Sequence, residues 1–265
     1  MMRPIAIALA LLSLAAPGAA LADPPTPLQL PTLRAGPTMR FAAESQIMGN
    51  AAANAVGARR WAFDVQVLDA GRVVYTLRSV ELSGVYASGQ SFLDAMKDVP
   101  VIFTVTPEGR PTGIDNWDAV AARAAPAVSA NERALFDSAP EAAKNSVTNA
   151  VTESVLYVIA DAQPRTPIAP GHTVLFSDKR VLPDVVASRS IDLDGVDTAS
   201  CQAELRLSGS AVAGRDGRVF SRQTIEAHAR VSTRDGWVTT FDQTQVEDAG
   251  PRTTLSVRRL STPGC

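Results

Sequence analysis

Short segments near both ends of this chain alternate hydrophobic and polar side chains, and a period of two residues is typical of β-strands with one buried face. The clearest segment runs from Cys201 to Leu207, where Ala203 and Leu205 alternate with polar side chains. Further segments of this kind begin near Met39, Trp61, Val101, Ile225 and Trp237. The pattern predicts two groups of strands, one in each half of the chain.

The middle of the chain has helical spacing instead. Val147, Val151 and Val155 lie four residues apart and would form one apolar stripe on a helix whose other face carries Asn, Thr and Ser. We expect this helix over residues 140–160, with Pro140 in its first turn, where the missing N–H is tolerated.

Two serine–glutamate pairs have the spacing of a capping box. Ser129 precedes Glu132 by three residues, and Ser138 precedes Glu141 by the same distance. In this motif the serine hydroxyl and the glutamate carboxylate each accept a main-chain N–H at the start of a helix. We therefore expect one helix to begin after Ser129 and another after Ser138.

Strands at both ends and helices between them predict an α+β fold. We expect a curved, mainly antiparallel, half-barrel-like sheet with the central helices packed on one of its faces. Residues 38–265 are predicted to form a single domain of this kind.

The first 22 residues have the character of a secretory signal peptide. Arg3 supplies the positive start, an uncharged run extends from Ile5 to Ala16, and small residues precede the expected cleavage between Ala22 and Asp23. The apolar run is too short for a permanent membrane anchor. The expected location is therefore the periplasm. Residues 23–37 contain five prolines and are predicted to form an extended lead-in.

The charge balance excludes one large class of partner. The chain contains 25 Lys and Arg residues against 27 Asp and Glu residues. Nucleic-acid binding needs a dense positive face, so we do not expect it. We also expect no transmembrane segment in the mature chain, since no later apolar run has the required length.

Cys201 and Cys265 are the two cysteines of the chain. In an oxidising compartment an even number of cysteines favours a disulfide, here a structural one that would hold the C-terminal tail. Two inert free thiols are the alternative.

Two stretches resemble a group of uncharacterised exported bacterial proteins. They are the strand and turn from Val101 to Gly109 with the following Ile114 to Trp117, and the proline-rich stretch from Pro164 to Gly171. The resemblance implies an N-terminal hairpin region, a helical middle and a C-terminal meander, without any established activity or binding residues. The expected architecture also resembles the half-barrel of periplasmic lipoprotein carriers, a likeness of fold alone.

Metal-binding patterns are weak in this sequence. His172 and His228 are the two histidines, and both are interpreted as ordinary surface residues. The carboxylates of Asp192, Asp194 and Asp197 are spaced like some calcium ligands, but the distal bidentate glutamate of a calcium loop is missing. We interpret them as an acidic turn, and we predict neither a metal site nor a cofactor.

One segment is similar to a catalytic motif. Asp197-Thr198-Ala199-Ser200 resembles the Asp-Thr-Gly motif of aspartic proteases, with Ala in place of the required Gly and no second copy in the chain. No nucleophile elbow or phosphate-binding loop is present. No catalytic residue is therefore predicted.

Three functional hypotheses follow. The first is a non-catalytic periplasmic protein that binds or carries an apolar or amphipathic ligand, such as a lipid or an acyl-bearing partner. The second is an envelope module that binds another protein, with residues 23–37 as its tether. The third is a hydrolase that uses Asp197.

Overall fold

The computed structural model describes residues 27–31, 34–49, 56–107, 109–152, 155–156, 162, 167–171, 173–179, 185–215, 218–248, 250–261 and 265. The strands in this part of the chain are β1 Met39–Met48, β2 Gly57–Asp69, β3 Arg72–Gly84, β4 Pro100–Val105, β5 Pro111–Ile114, β6 Thr173–Lys179, β7 Val185–Asp197, β8 Gln202–Arg215, β9 Arg218–Ser232, β10 Val238–Glu247 and β11 Arg252–Arg259. The helices are α1 Gln90–Met96, α2 Trp117–Ala124, α3 Ala130–Ser138 and α4 Pro140–Thr152.

All eleven strands belong to one curved sheet in which every neighbouring pair is antiparallel, in the order β5-β4-β3-β2-β1-β11-β10-β9-β8-β7-β6. The two halves of the chain meet where β1 pairs with β11, and β5 and β6 form the two edges. The strands that precede and follow the helices thus make one layer, and the helices lie against it. The predicted α+β fold is confirmed.

Aromatic side chains form a ladder across the buried face of the N-terminal half. The Phe41 ring stacks on Phe63 with 5.3 Å between centroids, and Phe63 stacks on Tyr75 at 4.9 Å. Phe103 meets Tyr75 edge-on at 6.5 Å. All four side chains are fully buried, as the period of two predicts for residues on one face of successive strands.

The opposite face of these strands is polar. Asp64 on β2 lies between Arg40 on β1 and Arg78 on β3, and its two carboxylate oxygens are each 2.7 Å from one of the guanidinium groups. The ordinary alternation of an antiparallel sheet therefore separates a hydrophobic face, covered by helices, from an ion-paired face.

The C-terminal half is the expected meander of β8, β9, β10 and β11. Between β9 and β10 the chain turns through Asp235 and Gly236, and Gly236 has a φ of +74°, which glycine adopts without strain. Residues 216–217, between β8 and β9, lie outside the described residues, but the flanking Arg215 and Arg218 are paired.

One prediction about the helices is wrong, and another is covered only in part by the described residues. Ser138 is the last residue of α3, and its hydroxyl donates to the carbonyl of Ala134, so the predicted capping box with Glu141 is wrong. Of the helix predicted over residues 140–160, α4 extends to Thr152, and residues 155–156 are also helical and buried. The rest of the predicted range lies outside the described residues.

The disulfide between Cys201 and Cys265 is confirmed, with Cα atoms 5.5 Å apart. It joins the turn before β8 to the C-terminal residue and is compatible with an exported protein. None of the helices in the described ranges is both long enough and apolar enough to cross a membrane. The predicted signal peptide lies outside those ranges.

Part of the proline-rich lead-in is bound to the domain. The N–H of Leu28 donates to the carbonyl of Ile168 at 2.7 Å, and the N–H of Ile168 donates back at 3.0 Å. Leu30 is buried in the core. Leu28 and Leu30 thus add contacts that the proline content of the lead-in did not indicate.

Candidate functional site: a groove between the helices

A groove of about 670 Å³ opens between α1, α3 and α4. We call it the helix groove. Its apolar floor and walls are formed by buried and half-buried side chains, namely Phe92, Ala127, Val128, Phe136, Ala143 and Val147. Its rim is formed by exposed side chains, most of them polar, namely Ser88, Ser91, Ser129, Glu132, Leu135 and Ser146.

Helix α1 supplies one wall because it is fastened to β3. The Gln90 side chain accepts the N–H of Leu82 at 3.1 Å and donates to the carbonyl of Val80 at 3.3 Å. Leu93 and Met96 are buried against the core. Because Leu93 and Met96 anchor α1 in the core, Phe92 lies in the helix groove.

Helix α3 supplies the opposite wall and begins at the predicted capping box. The Ser129 hydroxyl accepts the N–H of Glu132 at 3.3 Å, while the Glu132 carboxylate accepts the N–H of Ser129 at 2.9 Å and its hydroxyl at 2.7 Å. Farther along α3, the Phe136 ring stacks on Trp117 of α2 with 5.4 Å between centroids. These contacts set the position of the apolar wall formed by α3.

Helix α4 forms the floor, and two side chains from the sheet donate hydrogen bonds to carbonyl groups at residues 150–151. Arg59 is buried and donates to the carbonyls of Ala150 and Val151 at 2.7 and 3.0 Å. The Tyr75 hydroxyl also donates to Val151, at 3.2 Å. The Arg59 guanidinium lies 4.5 Å from the ring centre of Trp61. Hydrogen bonds from a charged donor to carbonyl groups are stronger than neutral ones, so these contacts stabilise α4 on the sheet.

Glu132 gives the rim its charge. Hydrogen bonds from the Ser129 hydroxyl and then from the Ser129 N–H lower the pKa of the Glu132 carboxyl group. The group is therefore an anion at neutral pH. The combination of a hydrophobic interior and a hydrogen-bonding rim suits a ligand that has both an apolar and a polar part.

The residues considered for metal binding or catalysis lie elsewhere. His228 is exposed on the sheet, and His172 is outside the described residues. Arg206 is 3.1 Å from Asp194 and 3.9 Å from Asp192, which also accepts the hydroxyl of Thr173. Within the described ranges, no group of three or more His, Cys, Asp or Glu side chains could hold a metal ion.

Asp197 is the exposed last residue of β7, and its side chain binds the turn that follows. Its carboxylate accepts the Ser200 hydroxyl at 2.6 Å and the N–H groups of Ala199 and Ser200. The Ser200 hydroxyl, followed by these N–H groups, lowers the pKa of Asp197. An aspartic protease needs two carboxylates that share a proton in a dry site, and this environment instead favours a single ionised carboxylate.

Sequence reasoning did not find α1 or the role of Phe92. A usable signal was present, because Leu93 and Met96 are three residues apart and Gly89 and Asp98 flank the segment. Asp98 has a φ of +61°, a conformation that Asp tolerates better than most residues and that often ends a helix.

No family model matches this chain, and none of the curated proteins matches it. The resemblance to a group of exported proteins therefore stays a prediction. Among solved structures the chain is similar to lipovitellin, in a study of lipid–protein interactions, with a TM-score of 0.50 and 10% sequence identity. The match covers 86% of this chain and 26% of the lipovitellin chain. At this identity the likeness shows the fold alone.

Proposed function

We propose that this protein is a non-catalytic binding protein that holds an apolar or amphipathic ligand, such as a lipid or an acyl chain, in the helix groove. The observation that carries the proposal is the groove itself, with its apolar interior and its volume of about 670 Å³. Small-molecule sites typically measure about 300–1,000 Å³. Transfer of a hydrocarbon group from water to such an apolar lining makes the free energy of binding more favourable by roughly 25 cal/mol for each Å² of apolar surface buried.

Two further observations support this proposal. Lipovitellin, whose solved structure concerns lipid–protein interactions, shares the fold of this chain. Residues 1–22 have a signal-like sequence, and Cys201 and Cys265 form a disulfide. Both features favour a location outside the cytoplasm, and we propose the periplasm. A carrier of apolar molecules between membranes would work in that aqueous compartment.

A fluorescence titration with N-phenyl-1-naphthylamine tests the proposal, because this uncharged probe becomes brighter when it leaves water. We expect saturable binding to the native chain. Ser146→Trp should abolish it by placing an indole ring in the helix groove. Asn145→Trp is the matched control, since Asn145 is also exposed on α4 but does not line the groove.

Equal binding by the two tryptophan variants, or no binding by the native chain, would contradict the proposal. A native chain that binds no probe but can be crosslinked to an envelope protein would support the interaction-module hypothesis in its place. Circular dichroism of each variant shows whether it has kept the native secondary structure.

A further inference from the structure

Resting on the proposed function, we infer that the helix groove selects amphiphiles whose head group donates hydrogen bonds and carries no negative charge. Fatty acids and other amphiphiles with an anionic head are then poor ligands. The inference concerns the rim, because a tail that fills the apolar interior leaves the head group among the exposed side chains.

The arrangement of the rim orients such a ligand. Ala143 and Val147 on the floor are buried, whereas Ser88, Ser129 and Ser146 on the rim are exposed. Burial of a hydrocarbon tail is most favourable at the floor, because the tail loses most of its contact with water there. The polar head stays at the rim, where hydroxyl groups replace part of its hydration.

Glu132 determines the preferred charge of the head group. Among the described residues that line the helix groove, it is the one ionisable side chain. Both hydrogen bonds from Ser129 go to its Oε2 atom. The Oε1 atom accepts no hydrogen bond from the described part of the chain, so it can accept one from a ligand. A carboxylate, sulfate or phosphate head would instead meet a like charge.

Arg133 and Lys144, two cations on α3 and α4, bind groups other than Glu132. Arg133 follows Glu132 on α3, but its Nε donates to the carbonyl of Ala125 at 2.9 Å. Lys144 pairs with Glu141 at 2.8 Å, and its ammonium group lies 5.9 Å from the ring centre of Trp117. Neither cation lines the helix groove. The positive N-terminal end of α3 is already paired with Glu132 through the capping box.

Displacement of N-phenyl-1-naphthylamine by three twelve-carbon amphiphiles, each below its micelle concentration, tests the inference. The competitors are monolaurin, dodecylammonium and dodecanoate, which share a tail and differ in head-group charge. We expect monolaurin and dodecylammonium to displace the probe at concentrations about fivefold lower than dodecanoate, the order of effect of one exposed charge pair. High salt should reduce the difference by screening.

Two variants assign the effect to Glu132. Glu132→Gln removes the charge and keeps a side chain that can form the capping box. In this variant the concentrations at which dodecanoate and the other two amphiphiles displace the probe should differ by less than about twofold. Asp137→Asn removes one charge from an exposed position of α3 that does not line the helix groove, and it should leave the preference unchanged. Dodecanoate that displaces the probe as well as the other two would overturn the inference and leave the proposed function standing. A native chain that never binds the probe would overturn the proposed function itself.

Discussion

The guanidinium of Arg59 on β2 donates a hydrogen bond of 3.0 Å to the carbonyl of Val151 on α4. These two residues are 92 positions apart in the chain, and both are buried. The contact fixes the floor of the helix groove to the sheet. It gives a charged side chain in the core a structural role, since a buried polar side chain needs hydrogen-bond partners.

Arg59→Met keeps most of the hydrocarbon stem and removes the donors to Ala150 and Val151. We expect it to lower the free energy of unfolding by about 2 to 4 kcal/mol, because buried carbonyls lose charge-assisted hydrogen bonds. Urea denaturation measures this change. Arg60→Met is the control, since Arg60 is 64% exposed and pairs with Glu44, and it should cost less than about 1 kcal/mol. Equal losses in the two variants would refute the assigned role.

Asp235 and Arg259 form a second contact with a buried partner. The Arg259 side chain is 5% exposed, and its Nη1 atom lies 2.8 Å from Asp235. We expect Asp235→Asn to destabilise the protein by about 2 to 3 kcal/mol, because the buried guanidinium loses its counter-charge. Asp242→Asn alters the adjacent pair with Arg258, in which both side chains are about half exposed, and should cost less than about 1 kcal/mol. Thermal unfolding that ranks the two variants the other way would contradict this expectation.

Stability should fall at acidic pH partly because of Asp64. Hydrogen bonds from Arg40, followed in effect by those from Arg78, lower its pKa below the ordinary value of 3.8, although burial opposes them. A carboxyl group whose pKa is lower in the folded state stabilises that state above its unfolded pKa. This contribution begins to decrease as the pH approaches 3.8 and is lost as the pH falls through the folded value.

Asp64→Asn should therefore flatten the dependence of unfolding free energy on pH below about pH 4. Asp98→Asn is the matched control, because Asp98 also pairs with Arg78 but is 59% exposed, and Asn tolerates its positive φ. Urea denaturation at a series of pH values measures both. A slope that is unchanged by Asp64→Asn would show that this carboxylate does not contribute.

The disulfide should stabilise the domain mainly by restricting the unfolded chain. It closes a sequence separation of 64 residues, for which the chain-entropy model gives about 4 kcal/mol. Cys201→Ser combined with Cys265→Ser should lower the unfolding free energy by an amount of this order. Reductant should destabilise the native chain and leave the double variant unaffected. A native chain whose stability does not change on reduction would disprove this role.

Local patterns in the sequence were sufficient to predict most strands and the Ser129–Glu132 capping box. The alternation of hydrophobic and polar residues predicts that Phe41 and Phe63 lie on the buried face of the sheet, whichever strands are neighbours. A capping box depends only on residues three positions apart. The prediction at Ser138 is wrong because its spacing to Glu141 equals that of Ser129 to Glu132. Spacing alone does not show that α3 continues as far as Ser138 itself.

The helix groove could not be predicted in this way. Phe92, Val128 and Val147 line it together, although they come from three segments whose distances depend on packing. Helix α1 has seven residues, so its periodic pattern covers only two turns. Arg59 occupies an inward position on β2, where a pattern of alternating polarity predicts a hydrophobic residue.

Native mass spectrometry of the protein exported to the periplasm, followed by solvent extraction, tests the central claim most directly. The account predicts that the native protein carries an added mass and that solvent extracts it as an apolar or amphipathic molecule. Asn145→Trp should keep this bound molecule, and Ser146→Trp should lack it. A protein that carries no added mass and takes up neither monolaurin nor dodecylammonium would contradict the account.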